Sequence, residues 1–205
     1  GIRVGDVNRV VRTEVDAGGK GVNVARVASE LGAAVVATGF VGGAPGSLVE
    51  AVLTKQGVRH AFVSTAGDTR TNYQVEDGQG PPTQFNPKGP DVSESEWIEL
   101  LDVFAELARQ AKWVAFGGSL PPRVPIDAYR ILGEIAHEAG AKVMADADGA
   151  PLAEALGMIV RERLAGFETP PAARPVVELW REHIESKAGG DIDRLADAIE
   201  DQRLF

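Results

Sequence analysis

Cysteine is absent from all 205 residues. That removes disulfides and thiolate metal ligands from consideration and fits a reducing compartment. Histidine is nearly absent: His60, His137 and His183 are scattered, two of them in segments that read as helices. No Ser/His/Asp arrangement can be argued from them, and surface placement is the plain reading of each. No apolar run approaches the roughly 20 residues that span a bilayer. The opening Gly1-Ile2-Arg3-Val4-Gly5-Asp6 carries neither a signal peptide nor an initiator methionine. The chain is therefore expected to start inside a longer frame, to be cytoplasmic and to have no membrane partner. Surplus positive charge is lacking too: 21 Lys and Arg against 30 Asp and Glu leave a net charge of −9. This argues against nucleic-acid binding through phosphates. An acidic protein that handles an anionic substrate must gather its cations locally, and Arg9, Arg12, Lys20, Arg26 and Arg70 are the candidates in the first third.

Hydrophobic residues make up 44% and charged residues 25% of the chain, enough for a real core in one good-sized domain with room for an appendage. Val7 to Val15 alternates loosely, is rich in valine, and reads as a strand. Val22 to Leu31 reads as a helix ended by Gly32, and Ala33 to Val41 as a buried strand of a parallel sheet. Gly42-Gly43-Ala44-Pro45-Gly46 reads as a break, after which Ser47 is expected to cap a helix through about Gln56. Val58 to Thr65 follows as a strand. The texture then changes: Thr69 to Val75 alternates, Asp77-Gly78 signals a turn, and Pro81 to Phe85 resumes, as in an antiparallel hairpin.

Ser93 and Glu96 form a Ser-x-x-Glu capping box before a long amphipathic helix. Its apolar face carries Trp97, Leu100, Leu101, Phe104, Leu107 and Ala108. Trp113 to Phe116 reads as a strand, Ile126 to Ala139 as a helix, and Lys142 to Ala145 as a strand delivering Asp146-Ala147-Asp148-Gly149. The repeating order is α/β with a parallel sheet and right-handed crossovers. Asp146 and Asp148 read either as a carboxylate pair for a hard cation or, more simply, as a strand-end helix cap. From Met158 to Phe205 the pattern stops, with Pro170, Pro171 and Pro175 leading into charged helical segments.

The densest signal is Asp16-Ala17-Gly18-Gly19-Lys20-Gly21-Val22-Asn23-Val24-Ala25-Arg26. Glycines around a lysine, running straight into an apolar segment, describe a tight loop that enters the first turn of a helix. Amides at such a junction point outward and the helix dipole adds partial positive charge. The stretch reads as a site for a polyhydroxylated or phosphorylated small molecule, or more plainly as a glycine turn that only starts a helix. Likewise Arg70 reads as a solvated edge charge or a ligand contact.

Five motifs occur in order: Gly5-Asp6-Val7-Asn8-Arg9, Gly18 to Arg26, Thr69-Arg70-Thr71-Asn72, Asn86 with Gly89-Pro90, and Gly118-Ser119-Leu120-Pro121-Pro122. In order and spacing they resemble the ribokinase-like sugar kinases, most closely the branch of 1-phosphofructokinase and tagatose-6-phosphate kinase. The resemblance covers about residues 1–157, leaving 158–205 as a divergent, mostly helical tail. It implies a ribokinase-like parallel sheet flanked by helices, with a small β lid from strands at about 1–17 and 67–90 that covers the sugar and often makes a homodimer. It also implies ATP and Mg²⁺ as cofactors and a sugar phosphate as acceptor. By the same resemblance Gly18, Gly19 and Asn23 would bind sugar hydroxyls, and Lys20, Arg9 and Arg70 would lie near the substrate phosphate. Ser119 would contribute from the sheet edge. A guanidinium can bond two phosphate oxygens at once.

The departures are as informative. The family's first strand, with its substrate-binding aspartate, is not found, nor are its Lys-Pro-Asn strand, Asn-x-x-Glu magnesium motif and Gly-Ala-Gly-Asp loop. Ala188-Gly189-Gly190-Asp191 imitates the last superficially, but it follows a charged helix and precedes Ile192-Asp193-Arg194. Asp191 is thus a weak candidate for the catalytic base, and no other residue stands for it. The final thirty or so residues also resemble the opening of cone-shaped domains of the SnoaL and nuclear-transport-factor-2 type. Within the matched part, Pro87-Lys88 replaces a usual Glu-Pro and Gly117 stands where the family prefers Ser. The reading is ATP-dependent phosphorylation of a hexose phosphate, impaired by the missing nucleotide half. The alternative is a non-catalytic sugar-phosphate-binding module or fragment. A nucleoside or ribose kinase is disfavoured, because Lys20 with Arg70 suits a phosphorylated acceptor.

Overall fold

The computed structural model describes residues 2–78, 80–147 and 151. The chain divides into two compact units, Gly1–Phe104 with Pro121–Val124 and Ala105–Leu120 with Pro125–Phe205. The expected tail, 158–205, and with it Asp191 and His183, lies outside the described residues, as does Asp148.

In the first unit the glycine turn enters helix α1, Lys20–Glu30. Strand β1, Val36–Val41, pairs in parallel with β2, Arg59–Ser64, in a register running from Val36 opposite Arg59 to Val41 opposite Ser64. Parallel neighbours need a crossover of a dozen residues or so, and helix α2, Gly43–Lys55, supplies it. The core is built from Ala17, Ala25, Ala37, Val49, Leu53 and Val58, with Val22, Val35, Val52 and Phe62 packed against it. Val49 and Leu53 lie one turn apart on α2 and so share its inward face. Alanine at 17, 25 and 37 keeps these contacts close.

Helix α2 starts five residues earlier than the sequence predicts. Gly42, not Ser47, is the N-cap, and the Ser47 hydroxyl donates to the Gly43 carbonyl at 3.2 Å within the helix. The run through Pro45 is no break, because a proline in the first turn lacks an N–H that would be left over there anyway.

Strands β3, Tyr73–Val75, and β4, Thr83–Phe85, form the expected antiparallel hairpin, Tyr73 facing Phe85, and all six residues are exposed. The expected strand from Val7 to Val15 does not form. A strand needs a neighbour to satisfy its backbone, and β3 and β4 pair with each other. The segment has no regular structure and is exposed, Val11 fully so. Local bonds hold its start: Asn8 Nδ2 donates to the Arg3 carbonyl at 2.8 Å, and Arg3 pairs with Asp6 at 2.8 Å.

Helix α3, Glu94–Ala108, is opened by the expected capping box. The Ser93 amide donates to Glu96 Oε2 at 2.6 Å, and the Glu96 amide donates to Ser93 Oγ at 3.3 Å. Leu100, Phe104 and Ala108 are buried, as the apolar stripe requires.

The second unit repeats the parallel pattern. Strand β5, Trp113–Gly117, pairs with β6, Lys142–Asp146, and helix α4, Ala128–Glu138, crosses between them. Asp146 is the last residue of the strand, opposite Gly117. Helix α4 buries Ala128, Tyr129, Leu132, Gly133 and Ala136, and the Tyr129 ring stacks on Phe116 with centroids 5.6 Å apart. Among the described residues no helix is long and apolar enough to cross a membrane.

Candidate substrate-binding site

The glycine turn leaves the core abruptly. Ala17 is 2% exposed, whereas Gly18, Gly19, Lys20 and Asn23 are exposed. Gly19 is the N-cap of α1 with φ 114 and ψ 144, a conformation that a side chain would strain. No side chain caps the helix there. The first peptide groups of α1 therefore present N–H donors and the positive end of the helix dipole. The Asn23 amide closes the first turn on the Gly19 carbonyl at 2.9 Å, and Lys20 and Asn23, three apart, share a face. Nothing lies within 4 Å of where a Cβ would stand on Gly18, Gly19 or Gly21, so a ligand can approach the backbone closely.

Arg26 is not one of the cations left over for a ligand. Its Nη1 donates to Asp16 Oδ2 and to the Ala17 carbonyl, both at 2.9 Å, and its Nε donates to Gln56 Oε1 at 2.9 Å. Asp16 Oδ1 in turn accepts the Ala17 amide at 2.9 Å. The Arg26 guanidinium and this amide hold the Asp16 carboxyl below its ordinary value, burial opposing them. Arg12 is likewise engaged, with Glu14. Arg9 is exposed in this irregular segment instead of on a strand.

Arg70 precedes the hairpin: β3 begins only at Tyr73. Its neighbour Thr69 is fastened to the start of α2 by two bonds at 2.9 Å. The Thr69 amide donates to the Gly42 carbonyl, and the Gly42 amide donates to Thr69 Oγ1. Arg70 is thus exposed one residue beyond a fixed point at a strand end.

Ser119 belongs to the second unit, exposed on the loop after β5. There the Gly118 amide donates to the Asp146 carbonyl at 3.2 Å, and the Tyr129 hydroxyl donates to the Gly118 carbonyl at 2.8 Å. Burial, and secondarily the charge of Asp146, push the Tyr129 hydroxyl up. Sequence reasoning missed Tyr129 and Gln56. Their roles are contacts to backbone or to distant residues, and no local pattern marks them. His60 is half-buried, stacked on Phe62 at 5.5 Å, instead of lying free on the surface.

A family model described as pfkB family carbohydrate kinase matches residues 2–161. The chain belongs to that family. Solved pfkB-like structures agree in fold. The tetrameric inhibited form of phosphofructokinase-2 from Escherichia coli matches with a TM-score of 0.70 at 28% identity, covering 77% of this chain and 52% of the other. A protein from Thermotoga maritima described as a "possible 1-phosphofructokinase" matches at 0.67 and 30% identity, covering 76% and 52%. The Escherichia coli enzyme in complex with fructose-6-phosphate matches at 0.63 and 30% identity, covering 69% and 46%. The pfkB chain described here therefore spans about half the length of these proteins. A second family model, described as Cobalamin biosynthesis protein CobT, matches residues 126–205. The ribokinase-like architecture expected from the ordered motifs is the one these neighbours share.

Proposed function

We propose that this chain binds a hexose phosphate at the Gly18 to Asn23 turn and takes part in its ATP-dependent phosphorylation. The observation that carries the reading is the start of α1: a glycine N-cap with no side-chain cap, open space at three glycines, and Lys20 on the first turn. Such an end is suited to hydroxyl and phosphate oxygens. Gly18, Gly19 and Asn23 bind the sugar, while Lys20, Arg70 and Arg9 supply charge for its phosphate. The family membership and the fructose-6-phosphate complex of one neighbour support the substrate class.

ATP would supply the phosphoryl group and Mg²⁺ would neutralise charge on it. Among the described residues there is no group of three or more His, Cys, Asp or Glu that could hold a metal ion. Their part is to hold and orient the acceptor. Orientation is a large share of catalysis in phosphoryl transfer.

The exposed β3–β4 hairpin serves as a lid, and its Tyr73 and Phe85 pair against a second copy to form a homodimer. Single-residue exposure of 58% and 52% at these rings supports a covered surface in the assembly. Light scattering of the full chain and of a Tyr73→Ser, Phe85→Ser variant tests it, and an unchanged mass would overturn it.

One observation favours a second reading, a binding module without transfer. The kinase-family match ends at residue 161, and the match from 126 to 205 is to a different family. A coupled ADP-release assay with fructose 1-phosphate, fructose 6-phosphate and tagatose 6-phosphate, run beside calorimetry, separates the two. Turnover supports the kinase. Binding without turnover, lost in Lys20→Ala and Arg70→Ala, supports the module. If none of the three sugars binds, the site assignment fails.

A further inference from the structure

We infer that Arg26 is the positioning residue of the glycine turn, fixing the backbone from Ala17 to Gly21 against α2 and so setting the geometry in which the turn meets its ligand. Both peptide groups of Ala17 are held in one small ring. Its N–H donates to Asp16 Oδ1, its C=O accepts from Arg26 Nη1, and the same Nη1 bonds Asp16 Oδ2. The other side of the guanidinium reaches Gln56, the C-cap residue of α2. One planar side chain thus links the last residue before the glycines to the end of a neighbouring helix.

Packing does not perform this task at the glycines themselves, since nothing lies within 4 Å of a Cβ position at Gly18, Gly19 or Gly21. The glycines themselves carry no side chain that could lock the backbone. Its conformation is inherited from Ala17 on one side and from the first turn of α1 on the other. The Arg26 side chain is only 21% exposed and Ala17 is in the core, so the bond to the Ala17 carbonyl is partly shielded from competing water, whereas those to Asp16 and Gln56 are exposed. The charge contribution is smaller, because Asp16 is 64% exposed. The guanidinium fork is what a lysine cannot copy: an ammonium has three donors on a flexible stem, with no fixed plane to serve Ala17, Asp16 and Gln56 together.

What the turn binds rests on the hexose-phosphate reading above; the tether itself does not. The test uses the full chain and the variants Arg26→Lys, Arg26→Gln and Gln56→Ala. Amide hydrogen exchange is followed by NMR, and fructose 6-phosphate, fructose 1-phosphate and tagatose 6-phosphate are titrated by calorimetry. Arg26→Lys and Arg26→Gln are expected to speed exchange at the hydrogen-bonded amides of Ala17 and Asn23, on either side of the glycines, ten-fold or more with the β1 and β2 amides unchanged. They are also expected to weaken binding of the accepted sugar ten-fold or more. Gln56→Ala moves both readouts the same way by less. A folded Arg26→Lys protein with wild-type exchange at the turn overturns the inference. So does faster exchange spread evenly over β1 and β2, which would mark a general stabilising role. If Arg26→Gln does not fold, Arg26→Lys and Gln56→Ala decide. If the unaltered chain binds none of the three sugars, the hexose-phosphate reading fails, and exchange alone judges the tether.

Discussion

Glu96 Oε1 accepts the amide of Ala66 at 2.9 Å while Oε2 of the same carboxylate accepts the amide of Ser93 at 2.6 Å. One side chain at the start of α3 therefore closes its own helix and pins the loop after β2. The Ser93 amide, the Ser93 hydroxyl and the Ala66 amide all favour the ionised form and lower the Glu96 carboxyl below its ordinary 4.5. A carboxyl lowered in the fold adds stability above its unfolded value, and this is lost as pH falls through the folded value. Glu96→Gln keeps a capping-box side chain but removes the charge. The expected result is a lower melting temperature at pH 7 and a gap to wild type that closes as pH falls below about 4. Thermal melts across pH 3 to 7 check it, and a gap independent of pH would refute the account.

Leu53 is 0% exposed and central to the first-unit core. Leu53→Ala removes buried methyl groups and leaves a cavity between α2 and its neighbours. The expected cost is about 2–5 kcal/mol, read from urea unfolding at an unchanged m-value. A loss under about 1 kcal/mol would mean that this core collapses around the gap.

These two residues also show what can be read without coordinates. Leu53 follows from helical periodicity and Glu96 from a four-residue capping pattern, both local regularities. The glycine turn was legible for the same reason: its chemistry is carried by consecutive residues. Three other readings failed, two of them where the deciding partner is remote. Val7 to Val15 has strand composition, yet pairing needs an adjacent strand, and β3 and β4 pair with each other. Gly42 to Gly46 has the composition of a break, yet a helix tolerates proline in its first turn. Arg26 carries the charge of a ligand contact. Its hydrogen bonds to Asp16 and Gln56 span 10 and 30 residues, and no spacing rule marks them.

Gly42 illustrates a close approach of backbone to backbone. A Cβ there would drive into the Gly67 carbonyl oxygen and against Thr65, although its φ of −162 is open to any residue. Gly42→Ala must therefore push the segment from Thr65 to Thr69 away from the start of α2. The expected cost is about 1–3 kcal/mol, as for overpacking elsewhere. The two Gly42–Thr69 bonds weaken with it, so Arg70 loses its fixed point and phosphosugar affinity drops along with stability. Calorimetry of Gly42→Ala beside Arg70→Ala checks the link. Unaltered affinity in a destabilised Gly42→Ala protein would separate Arg70 from this fastening.

Tyr129 offers a test confined to the second unit. Its hydroxyl donates to the Gly118 carbonyl at 2.8 Å, next to Ser119, and its ring stacks on Phe116. Tyr129→Phe keeps the ring and deletes the donor, so the Gly118 carbonyl loses a partner. The expected destabilisation is about 0.5–1.5 kcal/mol at neutral pH. The pH dependence distinguishes the hydroxyl from packing. Burial and the charge of Asp146 raise the Tyr129 hydroxyl above its ordinary 10.0, so the fold favours the neutral form. A group raised in this way contributes fully below the unfolded value and loses its contribution as pH rises through the folded one. Wild type should thus lose stability above about pH 10, and Tyr129→Phe should lose less over the same interval. Identical alkaline slopes would assign the loss to other groups and leave Tyr129 as a packing residue.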